Sequence, residues 1–75
     1  MRESVNDVLC ERIIDAGKNY YKGRNIVVLF NVNGKYLHWV TNSNTKQYQK
    51  IKKGNKYNLT WRRYENAVTY VVVNE

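Results

Sequence analysis

Residues 26–41 read I-V-V-L-F-N-V-N-G-K-Y-L-H-W-V-T, and this stretch decides the fold. Residues 26–32 are rich in β-branched side chains, which suit a half-buried pleated strand. Asn33 and Gly34 follow; both accept positive φ, so the pair favours a two-residue hairpin turn. Residues 35–41 are then the return strand. Such a turn sets the register, with Val32 opposite Lys35, Phe30 opposite Leu37 and Val28 opposite Trp39. Ile26, Val28, Phe30, Leu37 and Trp39 share one face, which reads as core. Val27, Leu29, Asn31, Tyr36, His38 and Val40 share the other. That second face is apolar enough to predict a partial cover.

Upstream the period changes. Ser4 can cap a helix, with Asp7 three residues on. Val5, Val8, Leu9, Ile13 and Ala16 recur at spacings of three and four, with Ile14 at the margin. Gly17 suits the position after a helix end. The spacing predicts an amphipathic helix over 4–16, with an acidic outer face, and one candidate cover for the sheet.

Downstream, residues 42–55 are polar and basic, and read as a loop with a short helical turn. Residues 56–64 and 67–73 form a second hairpin, joined tightly at Glu65 and Asn66. Leu59, Trp61, Val68, Tyr70 and Val72 are expected on one of its faces. The reading is a single domain over 1–75, with a helix at 4–16 and a β-rich basic module at 18–74. Its fold class is α+β: an N-terminal amphipathic helix followed by a four-stranded antiparallel meander of two hairpins. The sheet curls toward a small OB-like or SH3-like partial barrel, or stays open with the helix on one face.

Charge narrows the function. The formal net charge is +7. Residues 1–17 hold four acids against two arginines, while 18–75 hold eleven Lys/Arg against two acids. A field of that sign draws phosphate-rich or acidic partners. No enzyme is expected. His38 is the only histidine and Cys10 the only cysteine, so neither a nucleophile–base pair nor a metal cluster assembles from the sequence. No glycine-rich phosphate loop occurs, and no cofactor is expected. Cys10 reads as a buried small hydrophobe. No apolar run nears the ~20 residues of a membrane helix, and the N-terminus lacks a secretory apolar stretch. No membrane partner is expected, and the protein reads as intracellular and cytoplasmic.

The pieces Asn33-Gly34, His38-Trp39-Val40-Thr41, Ile51-Lys52-Lys53-Gly54-Asn55 and Arg62-Arg63-Tyr64-Glu65-Asn66-Ala67-Val68-Thr69 carry a resemblance. The stretch 26–73 is similar to OB-fold-like small proteins and C-terminal domains of phages and mobile elements. The resemblance implies single-stranded nucleic-acid binding. The sequence departs from that pattern in its first barrel strand, which is expected to be missing or reduced to residues 19–24, with the helix ahead of it.

Single strands are held by cations on phosphates and by rings on which bases stack. Tyr36 and His38 on the first hairpin, and Arg62 and Tyr64 on the second, point away from the core in this reading. Lys46, Lys50, Lys52, Lys53 and Lys56 could line one rim. Against this, Tyr36 and Tyr64 could be plain cross-strand pairs, His38 a surface residue, Tyr20 and Tyr21 packing for the helix, and the lysines a solvated loop. Trp39 and Trp61 alternate with aliphatics and read as core. The leading expectation is a small basic module for single-stranded DNA or RNA, tolerant of sequence. The alternative is a protein-interaction module, such as a phage-encoded inhibitor or an accessory subunit, docking on an acidic protein surface. Segment 67–73 is expected as a free edge that could pair with a second copy.

Overall fold

A computed structural model describes residues 2–18, 20–64 and 67–74, except for the side chains of 64, 67, 69 and 70. The elements run β1 (Arg2–Lys18), β2 (Arg24–Val32), β3 (Lys35–Asn42), α1 (Lys46–Gln49), β4 (Lys56–Tyr64) and β5 (Ala67–Asn74). The strands close into a barrel in the order β1-β2-β3-β5-β4. Neighbours are antiparallel except β3 and β5, which meet in parallel at Trp39 and Val68.

The predicted helix over 4–16 does not form. Those residues belong to β1, whose first half pairs with β4 and whose second half pairs with β2. The fold is therefore nearly all sheet, with five strands, and its only helical segment among the described residues spans four residues. The helical-looking spacing has a physical source. β1 carries one extra residue between Val5 and Val8, a second between Cys10 and Arg12, and a third between Asp15 and Lys18. Each bulge lengthens the local repeat from two to three. Val5, Val8, Cys10 and Ile13 thus all turn inward at spacings of three, two and three. Asp7, at the first bulge, takes φ 57°, and Gly17, at the third, takes φ 103°. The first barrel strand, expected as missing or reduced to 19–24, is β1 in full.

The hairpin of β2 and β3 has the register its turn dictates: Val32 with Lys35, Phe30 with Leu37, Val28 with Trp39. Cys10, Phe30 and Leu37 form one inward row, and Ile13, Val28 and Trp39 the next. Phe30, Val28, Cys10 and Leu59 are fully buried, and Trp39 and Trp61 nearly so. Fully burying one such large apolar side chain contributes about 1.5–3 kcal/mol. The helical turn expected in 42–55 is α1. Ile51, just after it, joins the core, and Tyr48 packs against it. Gln47 Oε1 accepts the Val73 N–H at 2.9 Å.

On β5 the expected face is corrected. Arg62 pairs with Tyr70 but Arg63 with Val68, so β5 holds one extra residue there. The alternation changes phase across that bulge. Val71 is buried and Val73 packs on the core, in place of the expected Val72, while the side chain of Tyr70 lies outside the described residues. The expected turn at Glu65 and Asn66 lies outside the described residues. Segment 67–73, expected as a free edge, lies between β4 and β3 in the barrel order and meets β3 at Val68.

Candidate nucleic-acid interface

The outward face of β1, β2 and β3 is built by pairing. Leu9, Asn31 and Tyr36 form one row across the three strands, Arg12, Leu29 and His38 the next, and Ile14, Val27 and Val40 the third. Side chains opposite each other in such rows lie about 5 Å apart. Along β3, Tyr36, His38 and Val40 alternate with buried Leu37 and Trp39, so all three point outward, about 7 Å apart. Tyr36 is 57% exposed, Val40 68% and Ile14 39%. The helix that was to cover this face is absent, so the face is open to solvent. Glu11, at a β1 bulge, accepts from Asn31 Nδ2 at 3.0 Å and is thereby partly occupied.

At one end of this face the loop of residues 20–23 joins β1 to β2. Tyr20 and Tyr21 are 93% and 89% exposed. Their rings meet edge to face, with centroids 5.2 Å apart and planes at 86°. The loop is held to the end of β3. Asn42 Nδ2 donates to Lys22 O at 2.8 Å, Arg24 N–H to Ser43 Oγ at 2.9 Å, and Ser43 N–H to Arg24 O at 2.9 Å. Lys18, Lys22 and Arg24 are exposed beside the tyrosines. Arg24 Nε donates to Asp15 Oδ2. That bond, with a second from Gly17 N–H, holds the Asp15 carboxyl below its ordinary range.

At the opposite rim lies the lysine segment. Gly54 N–H donates to Cys10 O at 2.8 Å, and Cys10 N–H donates to Asn55 O at 3.0 Å. The loop carrying Lys52 and Lys53 therefore runs along the side of β1 away from β2. Tyr57 Oη steadies it, accepting Lys52 N–H at 2.6 Å. Lys56 pairs with Leu9, which places it in line with Asn31 and Tyr36. It stands three strand spacings from Tyr36, about 14 Å along the curved surface. Lys46 and Lys50 are exposed in and just after α1.

The residues expected at a site thus divide. Tyr36 and His38 share one face, and Lys52, Lys53 and Lys56 flank it beyond β1. Arg62 sits elsewhere, paired with Arg2 and Tyr70 on the β1–β4–β5 side. The side chain of Tyr64 lies outside the described residues. Sequence reasoning missed Arg12, Tyr20, Tyr21 and Lys22. The available signal was two adjacent tyrosines among Lys18, Lys22 and Gly23, with no apolar alternation around them to bury them.

Among the described residues no cluster of three His, Cys, Asp or Glu could hold a metal ion, and no helix is long and apolar enough to cross a membrane. No family model, curated protein or solved structure matches the chain.

Proposed function

We propose that the protein binds single-stranded nucleic acid, without sequence preference, across the outward face of β1, β2 and β3. The observation that carries this reading is the bare aromatic and apolar surface between two cationic borders. Tyr36, Tyr20 and Tyr21 offer ring faces or edges to bases, and each stacked base contributes about 1–3 kcal/mol. Arg12 sits in the middle of the face. Lys22 and Lys18 border one end, and Lys52, Lys53 and Lys56 border the β1 side. The resemblance of residues 26–73 to OB-fold proteins belongs to the same proposal. Folds of that kind, five-stranded Greek-key barrels, receive oligonucleotides on their second and third strands and first loop.

Fluorescence anisotropy on labelled oligonucleotides at 50 and 200 mM salt tests it. With about four phosphates neutralised, affinity falls about 50-fold between those conditions. Homopolymers of different base bind within a few-fold of one another. No binding at the lower salt rejects the proposal.

A second reading has one observation in its favour. The row Ile14, Val27 and Val40 carries no charge, and an apolar strip also suits a protein partner. A pull-down after nuclease treatment separates the two. A stoichiometric protein retained on the wild type and lost from Val40→Asp favours the protein partner.

A further inference from the structure

A cleft of about 490 Å³ opens at the end of the barrel away from α1. It lies between the β2–β3 turn and the strands that meet at Glu3 and Trp61. The α1 end is filled by Ile51, whereas no described side chain fills this one. The volume falls within the range of small-ligand sites, about 300–1,000 Å³. That is room for one nucleotide-sized group.

The lining has two parts. Val5, Leu37 and the buried Trp61 supply an apolar floor. Lys35, Arg63 and Asn33 supply a polar rim. Among the described lining residues the acid is Glu3, and it is already committed: its Oε2 accepts Trp61 Nε1 at 2.9 Å and Arg63 Nε at 3.2 Å. Arg63 spends its Nε there, which leaves the terminal nitrogens of its guanidinium for an anion. Lys35 is exposed and forms no ion pair among the described residues. Arg2 and Arg62, exposed on paired positions nearby, add to the positive field. Tyr36 belongs both to the cleft wall and to the outward face of β3. The cleft therefore adjoins one border of that face.

We infer that the cleft takes a phosphate-bearing nucleotide unit, with the base over the apolar floor against Tyr36 and the phosphate on Lys35 and Arg63. The unit is either the phosphorylated end of a bound strand or a free nucleoside monophosphate. The first source rests on the proposed single-strand reading; the second does not.

Anisotropy is measured for one sequence as a closed circle, as a linear strand with hydroxyl ends, and as linear strands phosphorylated at either end. A phosphorylated end binds about tenfold more tightly than the circle, the scale of one charge-assisted contact. Lys35→Ala removes that preference and changes the affinity for the circle less than twofold. In parallel, the Trp61 indole proton is followed by NMR during titration with a nucleoside monophosphate and with the bare nucleoside. A shift with the monophosphate alone, lost in Lys35→Ala, supports the cleft even if no oligonucleotide binds. Equal affinities for circle and phosphorylated strands, with an unmoved indole proton, overturn the cleft and leave the face reading intact. Absence of all oligonucleotide binding overturns the face reading, and an unmoved indole proton then overturns the cleft as well.

Discussion

The indole Nε1 of Trp61 donates to Glu3 Oε2 at 2.9 Å, so the start of β1 is tied to the buried end of β4. Trp61 is only 2% exposed, and its N–H has no other partner among the described residues. Glu3→Ala leaves that donor to the water of the cleft, so the loss is that of one ordinary hydrogen bond, about 0.5–1.5 kcal/mol. The ion pair from Arg63 to Glu3, with both side chains more than a third exposed, adds under about 1 kcal/mol. Glu3→Gln keeps an acceptor and loses less. Urea unfolding of the two variants gives the comparison. Equal stability of Glu3→Ala and wild type would show that the bond contributes nothing.

Tyr20 and Tyr21 bury almost nothing, so apolar burial of their rings adds little to the stability of the fold. The double variant Tyr20→Ala/Tyr21→Ala is expected to remain folded, with a urea midpoint close to that of the wild type. Its affinity for single strands falls by about 1–3 kcal/mol per ring that stacks a base. Anisotropy and urea unfolding on the same sample separate the two effects. Unchanged affinity removes the loop from the interface.

How much of this was readable in the chain depends on whether period and turn chemistry agreed. In 26–41 they did: alternation, β-branched residues and an Asn-Gly turn all specify one hairpin, and every expected pair formed. In β1 they did not. Bulges near Asp7, Glu11 and Gly17 stretch a strand pattern into something with helical spacing, and Gly17 imitates a helix end. Bulges are set by the partner strand, which a local window does not contain. The same cause misplaced Val72 on β5. The site followed the fold. Tyr36 and His38 were legible because they sit on the well-specified hairpin. Tyr20, Tyr21 and Arg12 were hidden because they border or belong to the misread strand. The bare face itself was legible as too apolar, and only its expected cover was wrong.

Gly23 anchors the loop that presents the tyrosines. It holds φ +71°, and an added Cβ would lie 2.7 Å from Ser43 Oγ, 2.8 Å from Asn42 Oδ1 and 2.9 Å from Asn44 Nδ2. Those side chains are not idle. Ser43 Oγ accepts from Arg24 N–H, and Asn42 bridges Lys22 O and Asn44 N–H. Moving them breaks the bonds that fix the loop. Gly34 also has positive φ, at +86°, but a Cβ there meets nothing within 4 Å. Gly34→Ala therefore carries only the backbone cost, about 1–2 kcal/mol, while Gly23→Ala costs more. Thermal or urea unfolding ranks the two. Equal losses would mean that the polar cluster yields freely.

The Asp15–Arg24 pair gives the hairpin arm a pH dependence of known sign. The hydrogen bond from Arg24, then that from Gly17 N–H, holds the folded carboxyl below its ordinary value of about 3.8. A carboxyl that binds its proton more weakly when folded stabilises the fold while ionised. That contribution is complete above the ordinary value and disappears as pH falls through the lower, folded one. Asp15→Asn lacks it at every pH. The stability difference between wild type and Asp15→Asn is therefore constant from neutral pH to about pH 5 and shrinks below about pH 4. Unfolding midpoints taken from pH 7 to pH 2 for both proteins measure it. The Asp15 side chain is about half exposed, at 48%, so the difference is small and weakens with added salt. A difference that stays flat down to pH 2 would show that the Arg24 bond does not hold in solution, and that something else aligns the arm carrying Tyr20 and Tyr21.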